Sequence, residues 1–317
     1  MCIVVTKSPP EIVRPSEPVT TAAATSKVIF SPLDRPLAIV PIVVLQVFEH
    51  PIHEPVETIR RGLSRALVHY YPLAGRLAGD DYDDVHIDCT GEGVTFVAAN
   101  ADCTVKELTR DIDRRSPDAA KAVLRELIVD YPANGFGRAD PLVLMQVTAF
   151  TCGGFVVGVT WNHGAADGFG IAQFLQAVGE LARGLPTTSV IPMAMARSGA
   201  VADGDMMEVV RAIRRAKEEI PERLKKGDVI GDLTTEQVTG YEGVLLVTCW
   251  RNIGFEAVDF GGGRTARVMT TYEQSGVRPM CVVCLPWQGE EDEGARVLSS
   301  CVTAHHADAF LCEIATL

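Results

Sequence analysis

The chain has 317 residues, enough for two domains or one large one, and with 47% of them hydrophobic and 22% charged it can bury a core and is not a disordered polymer. Its formal net charge of −12 repels a polyanion and argues against generic nucleic-acid binding, leaving small anionic ligands to a local basic patch. The nine cysteines form no compact framework and read as reduced, buried thiols. The start, MCIVVTKSPPEIVRPSEP, has no basic region leading into a long apolar one, and no uncharged apolar stretch is long enough for a bilayer, so the expectation is a cytoplasmic protein without a membrane span.

Residues 6–27, rich in Pro, Ser and Thr, read as an extended surface arm. Residues 37–48 are β-branched and apolar like a buried strand, with Pro41 pointing to an edge or a bulge. Val56, Ile59, Leu63, Leu67 and Tyr70 recur at helical spacing and predict an amphipathic helix over 55–70. Residues 85–89 and 94–98 read as a hairpin around Thr90-Gly91-Glu92-Gly93, and 104–131 carry short helical patterns. Residues 142–150 and 155–161 are strands joined by Thr151-Cys152-Gly153-Gly154. A helix follows over 170–183, with Ile171, Phe174, Leu175, Val178 and Leu181 along one side. Residues 191–204 read as a linker and 205–226 as a charged helix. Strand-like runs then lie at 243–250, 265–271, 277–285 and 295–302, before a closing helix near 304–315. The class is mixed α/β.

The stretch WNHGAADGFG, 161–170, ends a buried strand on a histidine and sets an aspartate four residues on. A strand end offers a histidine partial burial, a fixed backbone and access to a substrate proton, the requirements of a general base. Gly164, Gly168 and Gly170 let the chain turn and let a ligand approach the backbone. Asp167 is placed to hold the loop through backbone N–H groups or an arginine. The alternative is a strand-end histidine beside an aspartate that only caps the next helix. Two ligands do not make a zinc site, and no metal is expected.

His163-Gly-Ala-Ala-Asp167-Gly, after a strand and before a helix, resembles the HxxxDG motif of the BAHD acyltransferases, plant enzymes of secondary metabolism that use acyl-CoA donors. Tyr71-Pro72-Leu73-Ala74-Gly75-Arg76-Leu77 resembles that family's YPLAGRL segment, and Asp88-Cys89-Thr90-Gly91-Glu92-Gly93-Val94 its D-C-x-G-x-G-V segment. Asp259-Phe260-Gly261-Gly262-Gly263 resembles its DFGWG signature, with Gly262 in the tryptophan's place. The resemblance implies a two-domain fold like chloramphenicol acetyltransferase, with mixed sheets and an active site in a channel between the domains. It implies that His163 takes the proton of an alcohol or amine acceptor attacking an acyl-CoA thioester, with CoA released, and that acyl-CoA is a co-substrate with no permanently bound cofactor. Asp167 is implied to structure the loop and Trp250 to offer an indole N–H to the oxyanion. Asp259, Phe260, Gly261 and Gly263 are implied to be structural.

Only 92 positions separate Asp167 from Asp259, an interval much longer in the family; about 100 residues, a small domain's worth, are absent. The expected organisation is an N-terminal acyltransferase domain, 1–190, a linker, 191–204, and an incomplete C-terminal domain, 205–317, carrying the Asp259 motif. Two readings stay open: an acyltransferase acting on small molecules as a monomer, or a shortened non-catalytic relative that associates through exposed sheet edges. Other features carry less. Cys281 and Cys284 share a strand but point to opposite faces. Cys152 is a candidate nucleophile that sits at the far end of the strand from His163. Gly261-Gly262-Gly263-Arg264 matches neither phosphate-loop pattern.

Overall fold

The structure, a computed structural model, describes residues 3–18, 27–30, 34–79, 84–131, 136–181, 246–271, 280–284 and 296–299, with the single positions 306, 309 and 312. The expected linker 191–204, the charged helix 205–226 and most of the closing helix near 304–315 lie outside the described residues. The chain divides into two units. The first holds Met1–Val190, Asn252–Tyr272 and Trp287–Glu291; the second holds Ile191–Arg251, Glu273–Pro286 and Asp292–Leu317. The Asp259 motif, expected in the C-terminal domain of 205–317, therefore belongs to the first unit.

The first unit is built on a mixed sheet. Its strands are β1 (Val5–Lys7), β2 (Glu11–Val13), β4 (Pro41–Phe48), β7 (Val94–Ala101), β8 (Val143–Ala149), β9 (Phe155–Asn162) and β11 (Arg267–Met269). The order is β1-β7-β8-β9-β4-β11, with β2 also on β7. β7 and β8 run parallel, and the other neighbours are antiparallel. Every residue of β9 is buried, as in a strand covered on both faces, which explains its continuous apolar run. β11 brings the Asp259 motif to the first unit by pairing Arg267–Met269 with residues 45–47 of β4.

One face of β4 presents Val43, Leu45 and Val47 to a core shared with Leu108 and Ile112 of α2 (Val105–Arg114) and Leu124 of α3 (Pro117–Arg125). The start of α2 is set by a capping box. Thr104 Oγ1 accepts the Glu107 N–H at 3.2 Å, and Glu107 Oε2 accepts the Thr104 N–H at 2.8 Å. On the other face the buried Gln46 donates to the Phe255 carbonyl at 2.8 Å. The short 3-10 turn Phe255–Ala257 packs there with α4 (Gly168–Glu180), and α1 (Pro55–His69) packs on α4. The unit is thus layered helix, sheet, helix.

A second small sheet orders β3 (Lys27–Ile29), β6 (His86–Asp88) and β5 (Arg76–Ala78) antiparallel. The hairpin expected of 85–89 with 94–98 does not form, because β6 joins this small sheet while β7 joins the large one. The chain changes sheets at Gly91 and Gly93, both at positive φ, and the Gly93 N–H bonds to the Ala74 carbonyl at 3.0 Å. Pro41 marks neither an edge nor a bulge. It is the first residue of β4, opposite Asn162, where a missing N–H costs least. In the second unit β10 (Leu246–Cys249) runs parallel to β12 (Met280–Cys284), and β13 (Arg296–Ser299) antiparallel to β12.

Gly158, mid-β9, lies so close to the segment after α3 that a Cβ there would sit 2.2 Å from the Leu127 carbonyl oxygen. Because the obstacle is backbone, Gly158→Ala is expected to lower unfolding stability by about 1–3 kcal/mol. Urea denaturation with an unchanged m-value checks this.

Candidate active site at the end of β9

The β4–β9 pairing runs for eight residues, from Phe48 opposite Phe155 to Pro41 opposite Asn162. Beyond it the two chains stay together. The His163 N–H donates to the Val40 carbonyl at 2.9 Å and the Gly164 N–H to the Leu37 carbonyl at 3.0 Å. Gly164 is needed for this contact, since a Cβ would meet the Ala38 Cα at 2.7 Å. None of Gly164, Gly168 and Gly170 has a positive φ. The expectation that these glycines allow a sharp turn is therefore replaced, at Gly164, by close approach.

Two side chains before the histidine hold the loop from inside. The buried Trp161 donates its indole N–H to the Ala166 carbonyl at 2.8 Å. Asn162, fully buried, accepts the Ala165 N–H at 3.1 Å and donates its amide to the Ala38 carbonyl. Asp167 is the N-cap of α4, with Oδ1 accepting the Gly170 N–H at 2.6 Å. Its carboxylate is thus engaged with the helix it starts.

The imidazole of His163 is half-buried, and its Nδ1 is buried without a hydrogen-bond partner. Burial pushes its pKa below the ordinary histidine value, against a raising pull from its own backbone and from the charges of Asp167 and Asp34. Burial also pushes the Asp167 carboxyl up, opposed by the Gly170 N–H and by His163. Burial therefore favours the neutral imidazole, and the backbone bonds of the loop, not a carboxylate bound to the ring, set its place.

Asp259 lies at the other end of α4. A Cβ on Gly179 would meet the Asp259 carbonyl oxygen at 2.3 Å, and twelve helical residues put this contact about 18 Å from Asp167. Asp259 Oδ1 accepts the N–H groups of Gly261 at 2.7 Å and Gly263 at 3.0 Å, and both glycines have positive φ. Phe260 is buried edge-on to Phe48 and Phe155. Gly262 lies flat on the chain before α1, where a Cβ would stand 2.8 Å from Ile52 Cγ2 and 3.1 Å from the His50 carbonyl oxygen. Trp250 belongs to the second unit, where its backbone N–H donates to the Val283 carbonyl at 2.7 Å. Among the described residues no three His, Cys, Asp or Glu side chains come together as a metal site, and no helix is long and apolar enough to cross a membrane.

Residues 3–238 match the Transferase family. Acyl transferase 15 of Oryza sativa subsp. japonica is 41% identical over 435 residues, covering 100% of this chain and 99% of that protein. That alignment is 118 residues longer than the 317-residue chain. Alcohol acyl transferase 1 allele RGb of Malus domestica is 44% identical over 139 residues, covering 44% of this chain and 30% of that protein. Among solved structures, vinorine synthase has a TM-score of 0.62 at 17% identity, covering 88% of this chain and 91% of that one. F. sporotrichioides TRI101, solved with Coenzyme A and T-2, has a TM-score of 0.56 at 13% identity, covering 90% and 97%. The chain belongs to the Transferase family, and its class is acyltransferase, in agreement with the BAHD resemblance of its motifs.

Two stability effects follow from this geometry. Asp167→Ala is expected to cost about 0.5–2 kcal/mol through loss of the cap, while Asp167→Asn, an equally good cap, costs a few tenths; chemical denaturation of the two variants checks this. Because the folded state resists protonating His163, stability is expected to fall as pH drops below the unfolded histidine value of about 6.5. His163→Gln should flatten that part of a denaturation-versus-pH curve.

Proposed function

We propose that the chain transfers an acyl group from acyl-CoA to an alcohol acceptor, with His163 as the general base. The observation that carries this reading is the half-buried imidazole at the β9 terminus, whose neutral form burial favours. A neutral imidazole can accept the hydroxyl proton as the acceptor oxygen attacks the thioester carbonyl. The tetrahedral intermediate then expels CoA, and the imidazolium returns its proton to the leaving thiolate. Asp167 acts at a distance. It fixes the loop as the helix cap, and its charge favours the imidazolium without bonding to the ring. The Coenzyme A named with the TRI101 structure and the alcohol named for the Malus domestica relative support the choice of donor and acceptor class.

The test is an assay of thiol release from short and aromatic acyl-CoA donors with a panel of alcohols. His163→Ala is expected to lower kcat by roughly 10²–10⁴-fold; an unchanged kcat would overturn the base assignment. In the wild type the acid limb of kcat/KM should fall below pH ~6.5, the ordinary histidine value. Asp167→Asn removes a charge that raises the His163 pKa, so it should move that limb to still lower pH.

A further inference from the structure

The turn joining β8 to β9 carries Cys152 on the surface, at the end of β9 remote from His163. Eight extended residues place the two about 26 Å apart, so the family chemistry at His163 gives this thiol no role. Its surroundings are specific. The Thr151 N–H donates to the Cys103 carbonyl at 3.1 Å, so the two backbones already meet. The Cys152 Sγ accepts the N–H of Val105, the first residue of α2 and two residues beyond Cys103, at 3.5 Å. Cys103 is 2% exposed, in the core that α2 shares with Phe150 at the foot of the same turn. Both cysteines are free thiols. The Cys103 thiol is pushed up to about 11, first by burial and then by Asp102, Glu107 and Cys152, so its electrostatic surroundings include Cys152. One thiol is accessible and the other is sheltered behind it, the division of labour of a peroxide-reacting cysteine and its resolving partner.

We propose that Cys103 and Cys152 form a reversible disulfide when the protein meets hydrogen peroxide, with Cys152 reacting first and Cys103 resolving. The Cys152 sulfur attacks one peroxide oxygen, the O–O bond breaks, and water leaves a sulfenic acid on Cys152. The Cys103 sulfur gives up its proton and attacks that sulfur; the S–O bond breaks and a second water departs. Two thiols are oxidised to one disulfide, and one peroxide is reduced to two waters. The bridge ties the β8–β9 turn to the start of α2 and constrains the unfolded chain between them. It works without the acyl-transfer site.

The test is digestion of the folded wild-type chain under non-reducing conditions after graded hydrogen peroxide, read by mass spectrometry. The expected product is a pair of peptides joined through Cys103 and Cys152, two hydrogens lighter than their sum and separated by dithiothreitol, in a protein whose thermal midpoint rises on oxidation. In Cys103→Ala, dimedone should trap a sulfenic acid on Cys152; in Cys152→Ser, no cross-link should appear. The proposal is overturned if wild-type Cys152 stays a thiol, if it proceeds to sulfinic acid with Cys103 still reduced, or if it bridges to another cysteine. The wild-type digest decides the matter even if Cys103→Ala does not fold.

Discussion

The antiparallel ladder between β4 and β9 is the constraint on which the rest of the first unit depends. It holds eight residue pairs in register, and the chain segments beyond its open end remain hydrogen-bonded through Val40 and Leu37. The side-chain period of a strand is two, so a slip of one residue would turn every buried side chain of β9 to the opposite face. Register is fixed by the core and by Gly158, which admits the Leu127 carbonyl where any side chain would block it. The position of His163 is therefore a consequence of packing across the whole strand, and not of the loop alone.

α4 extends this order across the unit. Its N-terminus is capped by Asp167, and near its C-terminus Gly179 lets the backbone of Asp259 come close. Gly62 does the same for α1, where a Cβ would stand 2.4 Å from the Val178 carbonyl oxygen. The histidine loop and the Asp259 turn thus sit at opposite ends of one rod. On the other face of the sheet Arg267, 6% exposed, makes a bidentate pair with Asp113 and so ties β11 to α2.

Much of this was legible because it rests on local rules. The apolar run of β9, the helical spacing of Ile59, Leu63 and Leu67, and the strand pair around Thr151-Cys152-Gly153-Gly154 are periodic signals, and the structure shows each element. Within 104–131, read only as short helical patterns, the Thr104–Glu107 capping box is what marks the start of α2. What could not be read was partner choice over distance. Residues 86–88 and 94–101 look like neighbours in sequence yet belong to different sheets, because Gly93 bonds to Ala74 and β2 occupies part of the β7 edge. The attachment of β11 to β4 joins residues more than 200 positions apart, and no local pattern announces it. At the site, His163 and Asp167 stand out by spacing. The roles of Trp161 and Asn162 depend on carbonyls of Ala166 and Ala38 that only the folded backbone brings within reach.

The turn at Gly262 is tied to the segment it packs on. At Gly262 the backbone lies close to His50 and Ile52, so that even a Cβ would require one of them to give way. The glycine and the path of residues 50–52 are consequently a matched pair. A bulky side chain placed there alone would push against the backbone of residues 50 and 51, so it could be accepted only if that segment shifted with it.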